Sequence, residues 1–214
     1  IYTRTLALQS THAQAHNNLG VLSARAGNPT EAAEHFRNAI NHQTGFSDAH
    51  NNLGAALASM GDLKGAEVQF RLGMAGKKGA ANTWIQLGQM ARQQGRSKEA
   101  LDHFAKALKH RPTWPPALTS MAWLLATAPD LSVRDPARAI ALAKQAIQEN
   151  PAEPLGAQDA LAAAYAANGE FERAVSTLQA VKNRLGPELP PGMARMIDAR
   201  LRLYEQKRPY VSPR

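Results

Sequence analysis

The chain has 214 residues, of which 44% are apolar, and 25 Lys and Arg against 17 Asp and Glu give it a formal charge of +8. This length can support one domain with a continuous core, and the absence of cysteine excludes disulfide and thiolate chemistry while leaving the compartment open. No apolar run reaches the 18 or more residues that crossing a bilayer needs, and no targeting pattern is legible in the first residues.

The charge is unevenly placed. Residues 182–214 hold eight basic and three acidic side chains, a net of +5, so the excess belongs mainly to the C-terminal end. Such an end reads as a solvated face, including Arg195, Arg200, Arg202, Lys207 and Arg208, or as a surface for an acidic partner or an anionic membrane.

In chain order, the first stretch is out of phase with the rest. Tyr2, Leu6 and Ser10 stand 34 residues before Phe36, Ile40 and Thr44, so residues 1–12 read as the second half of a helix pair begun upstream. Their apolar face is expected to be covered by another copy of the chain or to be mobile. From Ala13 a 34-residue period takes over. It aligns Leu19, Leu53 and Leu87, then Gly20, Gly54 and Gly88, then Gly27, Gly61 and Gly95, then Ala32, Ala66 and Ala100, and finally Phe36, Phe70 and Phe104. A fixed period of this size means stacked repeats.

In the repeat 13–46, Leu19, Leu22 and Ser23 have the i, i+3, i+4 spacing of one helix face. Gly27 ends that helix, and Asn28 followed by Pro29 predicts a capped second helix with Ala32, Phe36, Ala39 and Ile40 buried. In the repeat 47–80, Gly73, Gly76 and Gly79 and the Lys77-Lys78 pair predict an early end to the second helix and a soft joint. The repeat 81–114 is more regular, with Ser97 as the expected cap. Repeat 115–153 carries an insertion from Pro129 to Pro136, where Asp135-Pro136 again reads as a cap and first turn. Repeat 155–188 has Leu161, Tyr165, Gly169, Ala174 and Leu178 in register. Residues 189–208 predict a terminal helix with Met193, Met196, Ile197, Leu201 and Tyr204 on one face, covering the last open side, and 209–214 form a tail.

The LG, G, A and F residues at these spacings resemble the tetratricopeptide repeat (TPR). That resemblance implies an all-α, right-handed solenoid of about five helix pairs with a C-terminal capping helix, acting as a non-catalytic scaffold. No catalytic fingerprint is present, and the chain is read as a non-enzyme with no cofactor. Histidines His12 and His16 have metal-ligand spacing on a helix. However, His16/His50, His35/His103 and His42/His110 are columns of the repeat, which spreads each along the solenoid, so no metal site is expected.

The polar phrase HNNLG occurs twice, at His16-Asn17-Asn18 and His50-Asn51-Asn52. It resembles the asparagine ladder of O-linked GlcNAc transferase repeats, in which side-chain amides hold an extended peptide. An amide donates and accepts, so it can pair with any peptide backbone. Asn18, Asn52 and Gln86 would form the ladder, with Asn17, Asn51, Arg25 and Arg92 nearby and Trp123 as a side-chain anchor. A structural role for the same asparagines, and packing of Trp123 against the insertion, are the competing readings.

The leading expectation is a scaffold, part of a larger bacterial protein, that binds an extended peptide or partner helix in a TPR groove. A second is the substrate-presenting domain of a glycosyltransferase, since RLRLYEQKRPY resembles the closing segment of TPR modules on bacterial membrane glycosyltransferases. That reading allows a membrane-anchored parent. A third, RNA binding, is disfavoured because Arg25 and Arg92 are too few to track a phosphate backbone. Self-association through residues 1–12 is a further expectation, and the location is either the cytoplasmic or the periplasmic face of a bacterial cell.

Overall fold

The computed structural model describes residues 2–74, 80–152, 154–186 and 189–212; the side chains of 2–10 and of Ala80 lie outside that description. Among the described residues the regular structure is all helical. In order it comprises α1 (Tyr2–Arg25), α2 (Pro29–His42), α3 (Ser47–Ser59), α4 (Leu63–Gly73), α5 (Ala80–Gln93), α6 (Ser97–His110), α7 (Pro115–Thr127), a 3-10 turn (Leu131–Val133), α8 (Pro136–Glu149), α9 (Leu155–Ala167), α10 (Phe171–Leu185) and α11 (Pro191–Glu205). The chain divides into two compact units, Ile1–Met90 and Ala91–Arg214.

The hairpins α1–α2, α3–α4, α5–α6 and α9–α10 close in the same way. Gly27, Gly61, Gly95 and Gly169 have φ of 83°, 86°, 73° and 82°, left-handed values that cost glycine least. The next residue reaches back over the glycine. Asn28, Asp62, Arg96 and Glu170 donate their N–H groups to the carbonyls of Ser23, Leu57, Ala91 and Tyr165 at 2.9, 2.9, 2.8 and 2.9 Å. Carbonyls at the helix end are thereby satisfied and the chain is turned into the second helix.

In the first unit, each helix pair interlocks through a glycine and a phenylalanine. A Cβ on Gly20 would lie 2.5 Å from Phe36, and one on Gly54 would lie 2.6 Å from Phe70. The rings are buried with Ala32, Ala66 and Leu53 in one cluster. Removing such a ring costs about 3–5 kcal/mol.

Several local expectations need correction. One helix, α1, runs unbroken through residue 12, because Ser10-Thr11-His12 contains no glycine or proline to stop it. The buried face of α1 is Ala13, Asn17 and Gly20, whereas Leu19 and Leu22 are 45% and 61% exposed. Gly20 must face Phe36, and that fixes the rotation of the helix. Leu53, in the column of Leu19, is buried in one cluster with Ala33 and Phe36 of the preceding α2; no described element stands in that place for Leu19. Asn28 occupies the cap position of α2 and Arg96 that of α6, neither making a side-chain cap bond, and Ser97 is already inside the helix. Asp62 and Asp135 do cap, accepting from Gly65 N (2.9 Å) and Arg138 N (3.0 Å).

The helix α4 ends at Gly73, three residues shorter than the 14-residue α2 and α6. Gly73 itself is buried, with the Asn51 amide where its Cβ would be. Close packing against Asn51 accounts for a glycine at this position. Lys77, Lys78, Gly76 and Gly79 lie outside the described residues.

Among the described residues of the second unit, two large clusters and a smaller one around Leu118 make up the core. One large cluster joins α7, α8 and α9 to Phe104 of α6, and the other joins α9, α10 and α11 around Tyr165, Leu178 and Tyr204. The insertion is tied down: Val133 is buried, Arg134 Nε donates to Ala128 O (2.6 Å), and Asp135 N donates to Leu125 O (3.0 Å). The Asp130 carboxylate accepts from Ser132 Oγ and N, and those bonds hold its pKa below the usual value.

Candidate functional site

The first unit has a groove of about 540 Å³ between α1 and α3, lined by Val21, Arg25, Phe36, Asn52, Ala55 and Ser59, among others. The lining is mostly apolar, with the Arg25 guanidinium and the Asn52 amide as polar groups. Asn52 Nδ2 donates to Asn17 Oδ1 at 2.9 Å, linking the first helices of successive repeats. That bond occupies one of the two N–H donors of the amide and orients its carbonyl oxygen.

The two asparagines of each HNN phrase therefore have different duties. Asn17 and Asn51 are buried, and their oxygens accept from Asn52 and from Thr83 Oγ1 (2.6 Å). Asn17 and Asn51 are thereby engaged in contacts between α1 and α3 and between α3 and α5. Asn18 is exposed and accepts from Gln14 Nε2 of its own helix at 3.0 Å, while Gln86 is half-buried. Arg25 is exposed at the end of α1. The remaining two residues, Arg92 and Trp123, belong to the second unit.

Histidines also gather, which the column argument missed. His16 Nδ1 and His35 Nδ1 are 3.3 Å apart, and the His16 ring stacks on His42 (5.6 Å, 10°); His12 lies against His42 at 5.5 Å. The α1–α2 hairpin brings three different columns of one repeat together. Desolvation, followed by the charges of His35, His42 and His12, lowers the pKa of His16 from its ordinary 6.5. Among the described residues no group of three or more His, Asp or Glu has the arrangement needed to hold a metal ion.

In the second unit, Trp123 sits beneath a cluster that sequence reasoning did not find. Arg200 of α11 is only 8% exposed and is paired with Asp159 of α9. Its guanidinium lies 4.6 Å over the Trp123 ring and 5.1 Å from Tyr210. The expected solvated role of Arg200 is thus corrected: positions 197, 200, 201 and 204 share the inner face of α11, and Asp159 supplies the countercharge. Burial raises the Asp159 pKa by more than Arg200 lowers it, the usual outcome when an ion pair leaves water. The i+3 spacing from Ile197 was the available clue.

Models of the tetratricopeptide repeat match residues 1–45, 81–114 and 155–180. The chain is a tetratricopeptide repeat protein. TPR chains are protein-interaction scaffolds in general, and the family is generally non-catalytic. A comparison with curated proteins found no significant match. Solved structures agree on the fold. One, from a functional characterization of Pseudomonas aeruginosa pilF, superposes with a TM-score of 0.67 at 19% identity, covering 80% of this chain and 75% of that one. The thermophilic TPR protein TTC0263 of Thermus thermophilus gives 0.64 at 18% identity, over 91% and 99%. YrrB, described as a TPR protein with an unusual peptide-binding site, gives 0.56 at 16% identity, over 93% and 98%. No helix among the described residues is long and apolar enough to cross a membrane.

Proposed function

We propose that this TPR chain binds an extended peptide in the groove between α1 and α3, with the Asn52 amide pairing to peptide backbone and Arg25 meeting an acidic side chain or carboxylate. The observation that carries this reading is the groove itself. It is apolar enough to bury side chains, and its amide is held in place by Asn17. A pre-oriented amide loses little entropy on binding, which favours recognition of a main chain. The resemblance of Asn18, Asn52 and Gln86 to a peptide-holding ladder supports it, as does the peptide-binding description of YrrB.

The test is selection of peptides from a display library on the immobilised chain, then titration of the best sequence. Ala55→Leu fills the groove without touching any of these hydrogen bonds and should weaken binding at least tenfold while the melting temperature holds. Arg25→Gln should reduce the salt dependence of binding. A selected peptide that ignores Ala55→Leu binds elsewhere, and the groove reading then fails.

A further inference from the structure

The segment after α11 behaves like a bound peptide. Lys207 has a φ of 55°, taking the place that glycine takes at the other closures, and Arg208 N donates to Leu203 O at 2.9 Å. A lysine held in this region tolerates strain, and the result is a tight reversal that sends the chain back toward α7.

Beyond this reversal the chain has no helical structure and is anchored at two points, two residues apart. The Tyr210 ring lies 5.7 Å from the Trp123 ring, within reach of the Arg200 guanidinium. Two residues on, Ser212 N donates to Thr127 O at 2.9 Å, and the Ser212 and Thr127 hydroxyls are 2.9 Å apart. Thr127 is the last residue of α7, so its carbonyl is one that the helix leaves without an internal partner. Residues i and i+2 of an extended chain share a side, and Val211 between them is 42% exposed. The segment therefore shows each component of extended-peptide recognition: a main-chain bond, a hydroxyl pair, and an aromatic side chain on an aromatic floor. Arg200 is held beside this floor by its ion pair with Asp159.

We propose that Trp123, Thr127 and Arg200 form a second docking site, for extended peptides carrying an aromatic residue followed two positions later by a Ser or Thr. In this structure the site is filled in cis by residues 209–212, and a partner peptide of the same chemistry binds by displacing them. The proposal does not depend on the groove between α1 and α3, so the two stand or fall separately.

The test uses a fluorescein-labelled synthetic peptide with the sequence of residues 206–214. It is titrated by anisotropy against the whole chain and against the double variant Tyr210→Ala, Ser212→Ala. An attached segment competes at an effective concentration in the millimolar range. The variant should therefore bind the peptide saturably and at least tenfold more tightly than the parent. Adding Trp123→Leu, or replacing the peptide's tyrosine by alanine, should cost tenfold or more. Equal binding by parent and variant, or indifference to Trp123→Leu, would overturn the proposal. If the double variant does not fold, hydrogen exchange on the parent decides: excess peptide must speed exchange at the Ser212 amide, and unchanged protection refutes displacement.

Discussion

His16 and His35 face each other with their Nδ1 atoms 3.3 Å apart, a contact that only one proton can bridge. The equivalent pair in the next repeat is His50 and Gln69, at 2.8 Å between Nδ1 and Oε1, where an amide oxygen accepts instead. The first repeat thus has a proton-sensitive version of a contact that the second makes with a single titratable partner. Because desolvation and the neighbouring histidines lower the folded-state pKa of His16, the unfolded chain takes up its proton first as pH falls. The stabilisation is present above the ordinary 6.5 and is lost as pH drops through that value toward the lowered one. We predict a lower melting temperature at about pH 5.5 than at about pH 7.5, on either side of the ordinary histidine value. The difference should shrink in His35→Gln, which copies the second repeat; an unchanged difference would remove His16 as its source.

Gly73→Ala separates two effects of opposite sign. In an exposed helix this change gains about 1 kcal/mol. Here the new Cβ would collide with Asn51 Oδ1, and Asn51 is held by Thr83. Overpacking of this kind costs about 1–3 kcal/mol, so urea denaturation should show a net loss of stability. A gain would mean that Asn51 swings aside freely.

Tyr204 is fully buried, and burial raises the pKa of its phenol. Its hydroxyl has no hydrogen-bond partner among the described residues. Leaving such a group unpaired costs about 1–3 kcal/mol. Tyr204→Phe should therefore keep or raise the stability measured by denaturant melting. A clear loss would show that the hydroxyl is satisfied in solution.

The Arg200–Asp159 pair should behave as a unit. Removing only the arginine strands a carboxylate that burial already disfavours, at a cost of about 3–5 kcal/mol. Arg200→Met should thus be worse than the double change Arg200→Met, Asp159→Leu. Additive losses in the double-mutant cycle would place the two groups in water rather than in contact.

The sequence by itself determined the repeat and much of its punctuation. Columns of glycine, alanine and phenylalanine at 34-residue spacing mark the two helices of each hairpin, and the left-handed turn at Gly27 was legible without any distant contact, whereas the seating of the Phe36 ring against Gly20 was found in the structure. Asp135 and Pro136 announced the start of α8 for the same reason. Only the tertiary structure decided which way each helix face turns. Neighbouring residues on a helix differ by about 100° in direction, and the apolar residues of α1 at positions 19, 21 and 22 do not mark one face that would fix its phase. Hence Asn17, not Asn18, lies in the packing, and Leu19 does not. Arg200 looked like one more basic residue in a basic tail until α9 placed Asp159 beside it and α7 placed Trp123 beneath it, partners 41 and 77 positions away in the chain. Charge alone assigns such a residue to water; burial with a countercharge is a property of the folded neighbourhood, which no local pattern records.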